Sequence, residues 1–314
     1  MKQNTITLIL LSMLLMSFTT GPVKKKCQYD DNNIKCIYET TDGRMEGAYV
    51  SYYKNGQKKA EGNFLCNYRT GTWKAWDKDG NLKAERIYEN PFSIKRIIPA
   101  VTPEDSDAVK FPLVYNKEGF IEMFPLEERF IGWTHSCWRF IPEENNNELF
   151  KEDRLFNIFQ KNIADKNIEA YSTVDELFST AISIADMPPA YNVLVGFRIK
   201  EIDFYDNRRQ VCESRIIGIC PMLTSYVNKD TIPAYWLYYP AVRKILAQEK
   251  VAGTEIPANI KTLDDLLFFR YFSSVIEREP DYPGKKTKTD PEKAQIFVIE
   301  TEHDTWMNMF NVDE

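Results

Sequence analysis

Apolar and polar residues alternate along 193–199, which is the period-two pattern of a strand with one buried face. The apolar positions move by one residue just after this run, and the shift predicts a β-bulge near Lys200. A polar turn at 205–208 leads into a second run, 211–219, that is rich in β-branched residues and is followed by Pro221. We therefore predict a long β-hairpin at the centre of a sheet, with its return strand ending at Pro221.

Helical spacing of apolar residues appears first over 148–165, where it predicts an amphipathic helix. A second helix is predicted to begin at Thr173, whose hydroxyl can cap it while Glu176 bonds back to the first turn. It is expected to end before Pro188, because proline cannot continue a helix interior. The aromatic-rich run at 126–142 precedes both helices and supplies predicted core residues, namely Trp133, Trp138 and Phe140.

Two further helices are predicted towards the C-terminus. A short strand at 235–239 leads into a helix with Pro240 in its first turn, where the missing amide hydrogen costs nothing. The next helix begins with a Thr262 cap and Asp265 in its first turn. The segment 296–299 is predicted as an edge strand in a loosely held tail. The helix capped by Thr262 has an apolar face formed by Leu263, Leu267, Tyr271 and Val275.

The front of the chain contains a repeat of 24 residues, in which Gly47 recurs as Gly71 and the triplet at 59–61 recurs at 83–85. Each unit has at its middle a dipeptide that tolerates positive φ at both positions, as a type I′ turn requires. Each unit is therefore predicted to be a β-hairpin, and successive hairpins should lie side by side because one alone is barely stable. The predicted turn residues are Asn55, Gly56, Asp79 and Gly80.

The two units, GAYVSYYKNGQKKAEG and GTWKAWDKDGNLKAER, resemble the MORN repeat variant of bacterial exported and antitoxin-like proteins. The resemblance covers about residues 36–90 and implies a binding or spacer module with no catalysis of its own. The simpler interpretation is an antiparallel meander without a ligand, because repeat geometry alone names no partner.

The first twenty residues have the organisation of a secretory signal peptide. Lys2 precedes an apolar run at 6–16, and Ser17 and Thr19 supply the small residues for cleavage after Thr19. The apolar run is too short to span a bilayer. Lipidation at Cys27 is the competing interpretation, and the three lysines directly before that cysteine argue against it. We therefore expect an exported protein whose signal peptide is cleaved.

The net charge and the number of cysteines exclude some classes of function and indicate the redox compartment. A formal net charge of −6 gives no basic field for phosphate, so nucleic acid is not an expected partner. Six cysteines remain after cleavage, an even number that suits disulfides in an oxidising compartment, although their connectivity cannot be deduced from sequence. Cys27 with Cys36 is the best single pair, whereas Cys212 and Cys220 would lie ~26 Å apart on one strand. The alternative is that several cysteines are buried free thiols.

The residues that could carry chemistry form no convincing catalytic set. The charged residues of the long hairpin could be paired carboxylates for acid–base work, but strands commonly place such residues in cross-strand ion pairs on the solvent-facing side. Cys212 has no evident histidine to activate it, and His135 among aromatics is expected to be packed and hydrogen-bonded. With two histidines and no CxxC spacing, we expect no metal, no cofactor and no enzymatic activity. The hairpin charges are Arg198, Lys200, Glu201, Asp203, Arg209, Glu213 and Arg215.

Three ordered segments carry a second resemblance: VLVGFRIKEIDFYDNRRQVCESRIIGICPM, AYWLYYPAVRKIL and TLDDLLFFRYFSSVIERE. In order and spacing they resemble the gliding-motility protein N family (GldN, also called PorN), over about residues 125–285. The resemblance implies a non-enzymatic periplasmic subunit of the type IX secretion and gliding machinery at the periplasmic face of the outer membrane. Its implied partners are a ring-forming lipoprotein of the GldK/PorK type, inner-membrane motor subunits, and further copies of itself in the ring.

The resemblance also marks a set of signature residues with a structural or assembly role. They are Arg215, Gly218 and Pro221 in the hairpin, Trp236, Tyr239 and Pro240 before the third helix, and Phe272, Ser273 and Ser274 in the last helix.

The sequence as a whole predicts an α+β protein, with β-hairpin repeats followed by an α+β domain. The expected division is a signal peptide at 1–20, repeats at 36–90, a proline-containing linker at 91–112, the main domain at 113–285 and a C-terminal tail at 286–314. A second function, from another class, is a periplasmic binding or immunity-type protein whose repeats recognise a protein, glycan or lipid surface. An envelope enzyme is a third, which no set of nucleophile, base and oxyanion donors supports.

Overall fold

A computed structural model describes residues 21–98, 111–174, 176–186, 193–224, 230–253, 256–280, 286–287 and 291–308. Two β-sheets dominate these residues, and five helices accompany the second sheet, so the predicted α+β class is confirmed with a strong bias towards β. The predicted signal peptide lies outside the described residues. None of the helices within them is long and apolar enough to cross a lipid bilayer.

The first sheet is an antiparallel meander of seven strands, each hydrogen-bonded to the next in chain order. Successive hairpins therefore do lie side by side, as the repeat predicts. The seventh strand lies inside the segment predicted as a linker. The strands are β1 (Val23–Gln28), β2 (Ile34–Thr41), β3 (Arg44–Tyr52), β4 (Lys58–Leu65), β5 (Tyr68–Trp76), β6 (Leu82–Asn90) and β7 (Ser93–Ile98).

The turns at the middle of each repeat differ from the predicted type I′. Positive φ occurs at Gly56 (85°) and Gly80 (86°) but not at the residues preceding them. The amide of Gly56 donates to the carbonyl of Tyr53, and the amide of Tyr53 donates to the carbonyl of Gln57, so a type I turn is closed by a glycine bulge. Asn55 contributes through its side chain, which accepts from the amide of Gln57 at 3.1 Å.

Type I′ geometry is found at the opposite end of the sheet. Asp42 and Gly43 both have positive φ in the two-residue connection between β2 and β3, and Cys66 and Asn67 do so between β4 and β5. Asp42-Gly43 is a usual type I′ dipeptide, whereas Cys66-Asn67 is not, so the second connection carries no turn signal in the sequence. The Asn67 side chain helps by accepting from the backbone amide of Met45 at 2.9 Å.

The structure contains a third repeat unit, formed by β1 and β2. Asn32 has φ 64° and occupies the place of Gly56 and Gly80, which follow it at steps of 24 residues. The Tyr29 hydroxyl donates to a backbone carbonyl of the next hairpin, as the Tyr53 hydroxyl does to the hairpin after that. The unit escapes sequence comparison because asparagine replaces the turn glycine. Equivalent positions on the inner face are all small and buried, namely Cys36, Ala60 and Ala84.

The second sheet is built around the predicted hairpin, β11 (Val193–Asp206) and β12 (Val211–Thr224). The register shifts between Lys200 and Glu201, which confirms the predicted bulge. Pro221 does not end the return strand as predicted, since it pairs with Phe197 inside β12. The strand order is β13-β12-β11-β8-β15-β16, where the other members are β8 (Ile131–Pro142), β13 (Thr231–Pro233), β15 (Val275–Pro280) and β16 (Lys286–Thr287), with β14 (Leu237–Tyr238) also on β12.

The first predicted helix is present but interrupted. It divides into α1 (Asn147–Phe150) and α2 (Arg154–Ala164), separated by a 3-10 turn in which Glu152 and Asp153 have positive φ. The interruption reorients the chain so that both parts reach the same core. Aromatic rings from the two parts, Phe150 and Phe159, contact the ring of Phe197 on β11 from two sides, with centroids 5.1 and 6.2 Å away.

The helix predicted to begin at Thr173 does not form over the residues described there, 173–174 and 176–186. This segment instead forms a loop closed by β9 (Ala170–Tyr171) and β10 (Ala181–Ile182). It is anchored by Phe178, which has φ 57° and packs edge-on against Trp236. The remaining apolar side chains of the loop face solvent, with Val174 94% and Leu177 77% exposed, so their spacing did not mark a buried face.

The C-terminal third keeps the predicted helix starts but not their lengths. Pro240 lies in the first turn of α3 (Tyr239–Leu246), and Thr262 forms a complete capping box with Asp265. The helix that follows, α4 (Leu263–Phe268), is short because Arg270 turns out of it with φ 55° and pairs with Glu201 on β11. Val275 therefore begins a strand, and the predicted edge strand at 296–299 lies within α5 (Pro291–Asn308).

Asn32 provides a test of the third repeat. Replacing Asn32 with alanine is expected to reduce the free energy of unfolding by about 1 kcal/mol, because alanine lacks the short polar side chain that stabilises asparagine in left-handed backbone. Asn32→Gly should be neutral or stabilising, because glycine adopts this backbone without a steric penalty. Asn33→Ala removes the same side chain one position along, at ordinary φ, and should change stability by less than about 0.5 kcal/mol. Urea denaturation would measure all three, and equal losses for the two alanine variants would contradict the assignment.

Candidate functional site: the junction between the two sheets

The inner, aromatic face of the repeat sheet is covered by α5. Tyr49, Phe64 and Trp73 form its centre, with ring centroids 5.1–5.6 Å apart. Buried residues of α5, Ile296 and Ile299, belong to the same apolar cluster. The part of the tail that forms α5 is therefore an integral part of the core, contrary to the expectation that the tail is loosely held. The other side of α5 reaches the second sheet, where Ala294 packs with Cys137 and Ile276.

A buried arginine attaches the repeat sheet to α5. The Arg69 guanidinium stacks on Trp73, with its central carbon 4.0 Å from the ring centre. It donates to the carbonyl of Ile299 at 3.1 Å and lies 2.8 Å from a carboxylate oxygen of Glu302. Burial alone would lower the pKa of Arg69, but Glu302 and Tyr88 outweigh it and raise the pKa. This contact requires both the repeats and α5, so it fixes one against the other.

Two more contacts join the repeats directly to the main domain. Arg86 on β6 donates to the carbonyl of Gln210 at 2.8 Å, at the tip of the long hairpin. Phe92, which follows β6, packs between Tyr68 and Phe268 with ring centroids 5.5 and 5.3 Å away. The apolar and polar contacts together make the repeats part of one packed unit with the main domain.

The inner face of the long hairpin contains a buried ion cluster centred on Glu201. One carboxylate oxygen of Glu201 accepts from Arg139 on β8 at 2.5 Å, and the other accepts from Arg270. All three side chains are buried. Burial would raise the pKa of Glu201, but Arg270 and Arg139 together hold it below its ordinary range. The prediction of a solvent-facing position was wrong here, because charge compensation by two arginines from other elements was invisible in the sequence.

Asp203 extends this cluster. Its two carboxylate oxygens lie next to different partners, His135 at 3.2 Å and Ser214. Burial would raise the pKa of Asp203, and the hydrogen bond with His135, the positive charge of Arg139 and the bond from Ser214 lower it. His135 is therefore packed and bonded, in line with the expectation from sequence. Asp203 on β11 lies directly opposite His135 on β8, so the contact between the two side chains follows from the register of the sheet.

The tip of the hairpin forms a second buried ion group. Arg209 lies 2.7 Å from Asp206 and 2.6 Å from Glu213, and Arg215 lies 2.5 Å from Glu213. Arg215 also donates to the carbonyl of Phe124 at 2.7 Å. These charges satisfy one another inside the fold, so they give the tip rigidity and leave no free acid–base pair.

The predicted surface ion pairing holds on the opposite face of the hairpin. Arg198 and Glu277 on β15 are 2.5 Å apart, and both side chains are partly exposed. Lys200 on the same face donates to the carbonyl of Glu176 at 2.7 Å and so helps to hold the loop closed by β9 and β10. The two faces of one hairpin thus contain ion pairs of very different burial.

The cysteines divide into one disulfide and four free thiols. Cys27 and Cys36 are bonded, with an S–S distance of 2.05 Å, and join β1 to β2. Burial raises the pKa of the Cys66 and Cys220 thiols to about 12. Burial, followed by the charges of Glu302 and Asp203, raises the pKa of Cys212 well above its ordinary value. Cys212 therefore lacks the thiolate that a nucleophile needs.

The signature residues occupy structural positions. Gly218 lies beneath the Phe178 ring, where a β-carbon would come within 2.5 Å of it. The Tyr239 hydroxyl donates to Asp264, and the backbone of Ser273 is held on both sides by the amide of Asn146. Phe272, Ser273 and Ser274 lie after α4 rather than in a helix as expected. Trp236 and Phe272 are buried, Pro221 lies in β12, Pro240 in α3, and Arg215 in the ion group.

The outer face of the repeat sheet contains an open depression. It has a volume of about 610 Å³ and lies over the middle of β2 to β6. The residues that line it include Glu61, Lys74 and Glu85, which are paired on adjacent strands. The face is therefore polar and of mixed charge, and it is the surface of the repeats that remains available to a ligand.

One group of side chains has the donor types of a metal site. A donor atom from each of His135, Cys137 and Asp203 lies within 4.8 Å of the other two. The sequence did not predict this group, because Asp203 lies 66 positions from Cys137 and 68 positions from His135 along the chain. The buried arginines Arg69, Arg86, Arg139 and Arg270 were missed for the same reason, because each is paired with an element remote in sequence.

The geometry shows that the repeats and the main domain form one packed unit, within which charged residues of the long hairpin are paired with residues of opposite charge. Residues 126–313 match the family described as Gliding motility associated protein GldN, and residues 45–65 and 69–90 match the MORN repeat variant. Since the first match covers more than half of the chain, the protein belongs to the GldN family. This is a periplasmic family of the gliding and secretion machinery and not an enzyme family. No curated protein matches the chain significantly.

Glu201 allows the buried cluster to be tested. Glu201→Gln removes the charge that compensates two buried arginines and is expected to cost about 3–5 kcal/mol of unfolding free energy. Glu277→Gln is the matched control, because it breaks an equally short arginine–carboxylate pair on the exposed face and should cost less than about 1 kcal/mol. Denaturant titration of both variants would measure this, and similar losses would show that Glu201 is not a central contact.

The lowered pKa values of Glu201 and Asp203 predict a dependence of stability on pH. Their contribution is fully present above the unfolded-state values of about 4 and is lost as pH falls through the lower folded values. Unfolding free energy should therefore decrease from about pH 5 towards pH 3. Ser214→Ala removes one bond that lowers the pKa of Asp203, so its stability should fall less steeply over that range. An unchanged slope in urea denaturation would argue against this role for Asp203.

Proposed function

We propose that this protein is a non-enzymatic periplasmic structural subunit of the type IX secretion and gliding machinery. In this proposal it assembles with copies of itself, with a ring-forming outer-membrane lipoprotein of the GldK/PorK type, and with inner-membrane motor subunits. The observation that carries the proposal is the family match over 126–313, which includes α5 as well as the main sheet. The pairing of the buried charges with one another supports a load-bearing role rather than a catalytic one.

The packing of the repeats limits how they take part in this function. Their aromatic face is occupied by α5, so a partner can meet them only on the outer face or at the sheet edges. A spacer that extends the subunit is consistent with this arrangement. The open depression on the outer face favours the second candidate, in which the repeats bind a protein, glycan or lipid surface.

Deletion of residues 36–90 would not separate these functions, because it would expose the apolar side of α5 and leave Glu302 without Arg69. Substitutions on the outer face preserve the fold. Glu61→Lys with Glu85→Lys reverses two of the three acidic positions that line the depression. Glu143→Lys with Glu144→Lys makes the same charge change at exposed positions in the main domain.

Cross-linking in cells followed by affinity purification should recover the ring lipoprotein and motor subunits with the wild-type chain. If the main domain mediates assembly, the Glu61→Lys, Glu85→Lys variant should recover amounts of these partners within about twofold of wild type. The Glu143→Lys, Glu144→Lys variant measures the effect of the charge change alone. A ligand held by the depression would instead lose at least tenfold in affinity, or about 1.4 kcal/mol. Recovery of neither ring nor motor components by the wild-type chain would refute the structural-subunit proposal.

A further inference from the structure

Sheet pairing brings three metal-binding side chains together beside the buried ion cluster. His135 and Cys137 are two residues apart on β8, so they point to the same face of the sheet. Asp203 is the cross-strand neighbour of His135 on β11. The Nδ1 atom of His135 lies 3.2 Å from Oδ2 of Asp203, and one donor atom from each residue lies within 4.8 Å of the other two.

These distances are close to those around a tetrahedral zinc ion. Zinc lies about 2.0–2.1 Å from imidazole nitrogen and carboxylate oxygen and about 2.3 Å from thiolate sulfur. Neighbouring ligand atoms of such a tetrahedron are therefore separated by about 3.3–3.6 Å. The separation between His135 and Asp203 already has this size, at 3.2 Å. The Cys137 sulfur lies no more than 4.8 Å from the other two donors, so it needs to move by at most ~1.3 Å to reach these separations.

The surroundings orient the ligands as supporting residues do in metal sites. Ser214 donates to Oδ1 of Asp203, which leaves Oδ2 directed at His135. The Trp133 ring stacks on the imidazole with an interplanar angle of 5°, so the ring of His135 has a fixed orientation. The Cys137 thiol donates to Oε2 of Glu201 at 3.5 Å, and zinc binding would replace this bond while Glu201 keeps its two arginines.

Charge and access also agree with a divalent ion. The positive charges of Arg139 and Arg270 balance the negative charges of Glu201 and Asp203. Binding of Zn²⁺ with loss of the Cys137 proton therefore adds one net positive charge to the site. Burial, Asp203 and Glu201 raise the pKa of the Cys137 thiol well above its ordinary value, so the metal must displace that proton. The His135 side chain is 11% exposed, which provides a path for the ion and for a water molecule.

We propose that His135, Cys137 and Asp203 bind a zinc ion, with the fourth coordination position open to water. One nitrogen, one sulfur and one oxygen donor favour zinc over magnesium and calcium, which take oxygen ligands. The site would connect β8 to β11 at the point where α5 and the repeats meet the main sheet. The proposal goes beyond the assembly function and does not depend on it.

The test uses the purified full chain after treatment with a chelator. Dialysis against Zn²⁺ should leave one zinc per chain by elemental analysis, and Co²⁺ should give the thiolate charge-transfer absorption that reports a cysteine ligand. Cys137→Ser should remove that absorption and weaken zinc binding by at least about 100-fold, and Ser214→Ala should weaken it by about tenfold. Affinity should rise with pH, because binding releases a proton.

Cys220→Ser is the matched control, because Cys220 is a buried free thiol of the same sheet but belongs to a separate apolar cluster. This variant should bind as wild type. If Cys137→Ser does not fold, His135→Gln at the partly exposed ligand gives the same readout. Absence of bound zinc in the wild-type chain, or equal uptake by the wild type and the ligand variants, would overturn the site. Since these measurements need only the purified chain, their failure leaves the assembly proposal intact.

Discussion

The apolar face of the repeat sheet must be covered, and the rest of the structure depends on how this is done. A seven-stranded meander with Tyr49, Phe64 and Trp73 on one side cannot remain in water as an isolated layer. The cover is α5, which comes from the far end of the chain and also packs on the second sheet. Because one helix serves both sheets, the two parts of the sequence fold into a single unit.

Polar contacts give this packing a defined geometry. Apolar surfaces are non-directional, whereas the bonds of Arg69 to Ile299 and of Arg86 to Gln210 fix distances and angles across the junction. Glu201 does the same inside the main domain, where it connects β8, β11 and the chain after α4 through Arg139 and Arg270. A buried charge with two opposite charges beside it is costly to form and more costly to disrupt. The cluster therefore favours one arrangement of these elements over others.

The parts of the fold that depend on nearby residues could be predicted from the sequence. The bulge at Lys200 follows from a phase shift in adjacent residues, and the Thr262 cap follows from a four-residue motif. The end of α4 could not be predicted, since it is set by the bond of Arg270 to a residue 69 positions away. The segment 296–299 illustrates a second limit, because a short apolar run fits a strand or a buried helix equally well.

The candidate site shows the same division between local and remote information. His135 was expected to be packed, which its aromatic neighbours suggested, but its partner Asp203 is supplied by sheet register.

The repeats were expected to be a separate module, and their turn glycines correctly marked the hairpins. The repeat sequence did not predict that α5 covers the sheet. Buried aromatic residues on the inner face give the same sequence pattern whether they pack against another hairpin or against a helix. The GldN match reaches residue 313 and so includes this helix. In the proposed assembly the repeats and the family domain therefore act as one packed unit, and the outer faces rather than the aromatic interior are the surfaces open to other molecules.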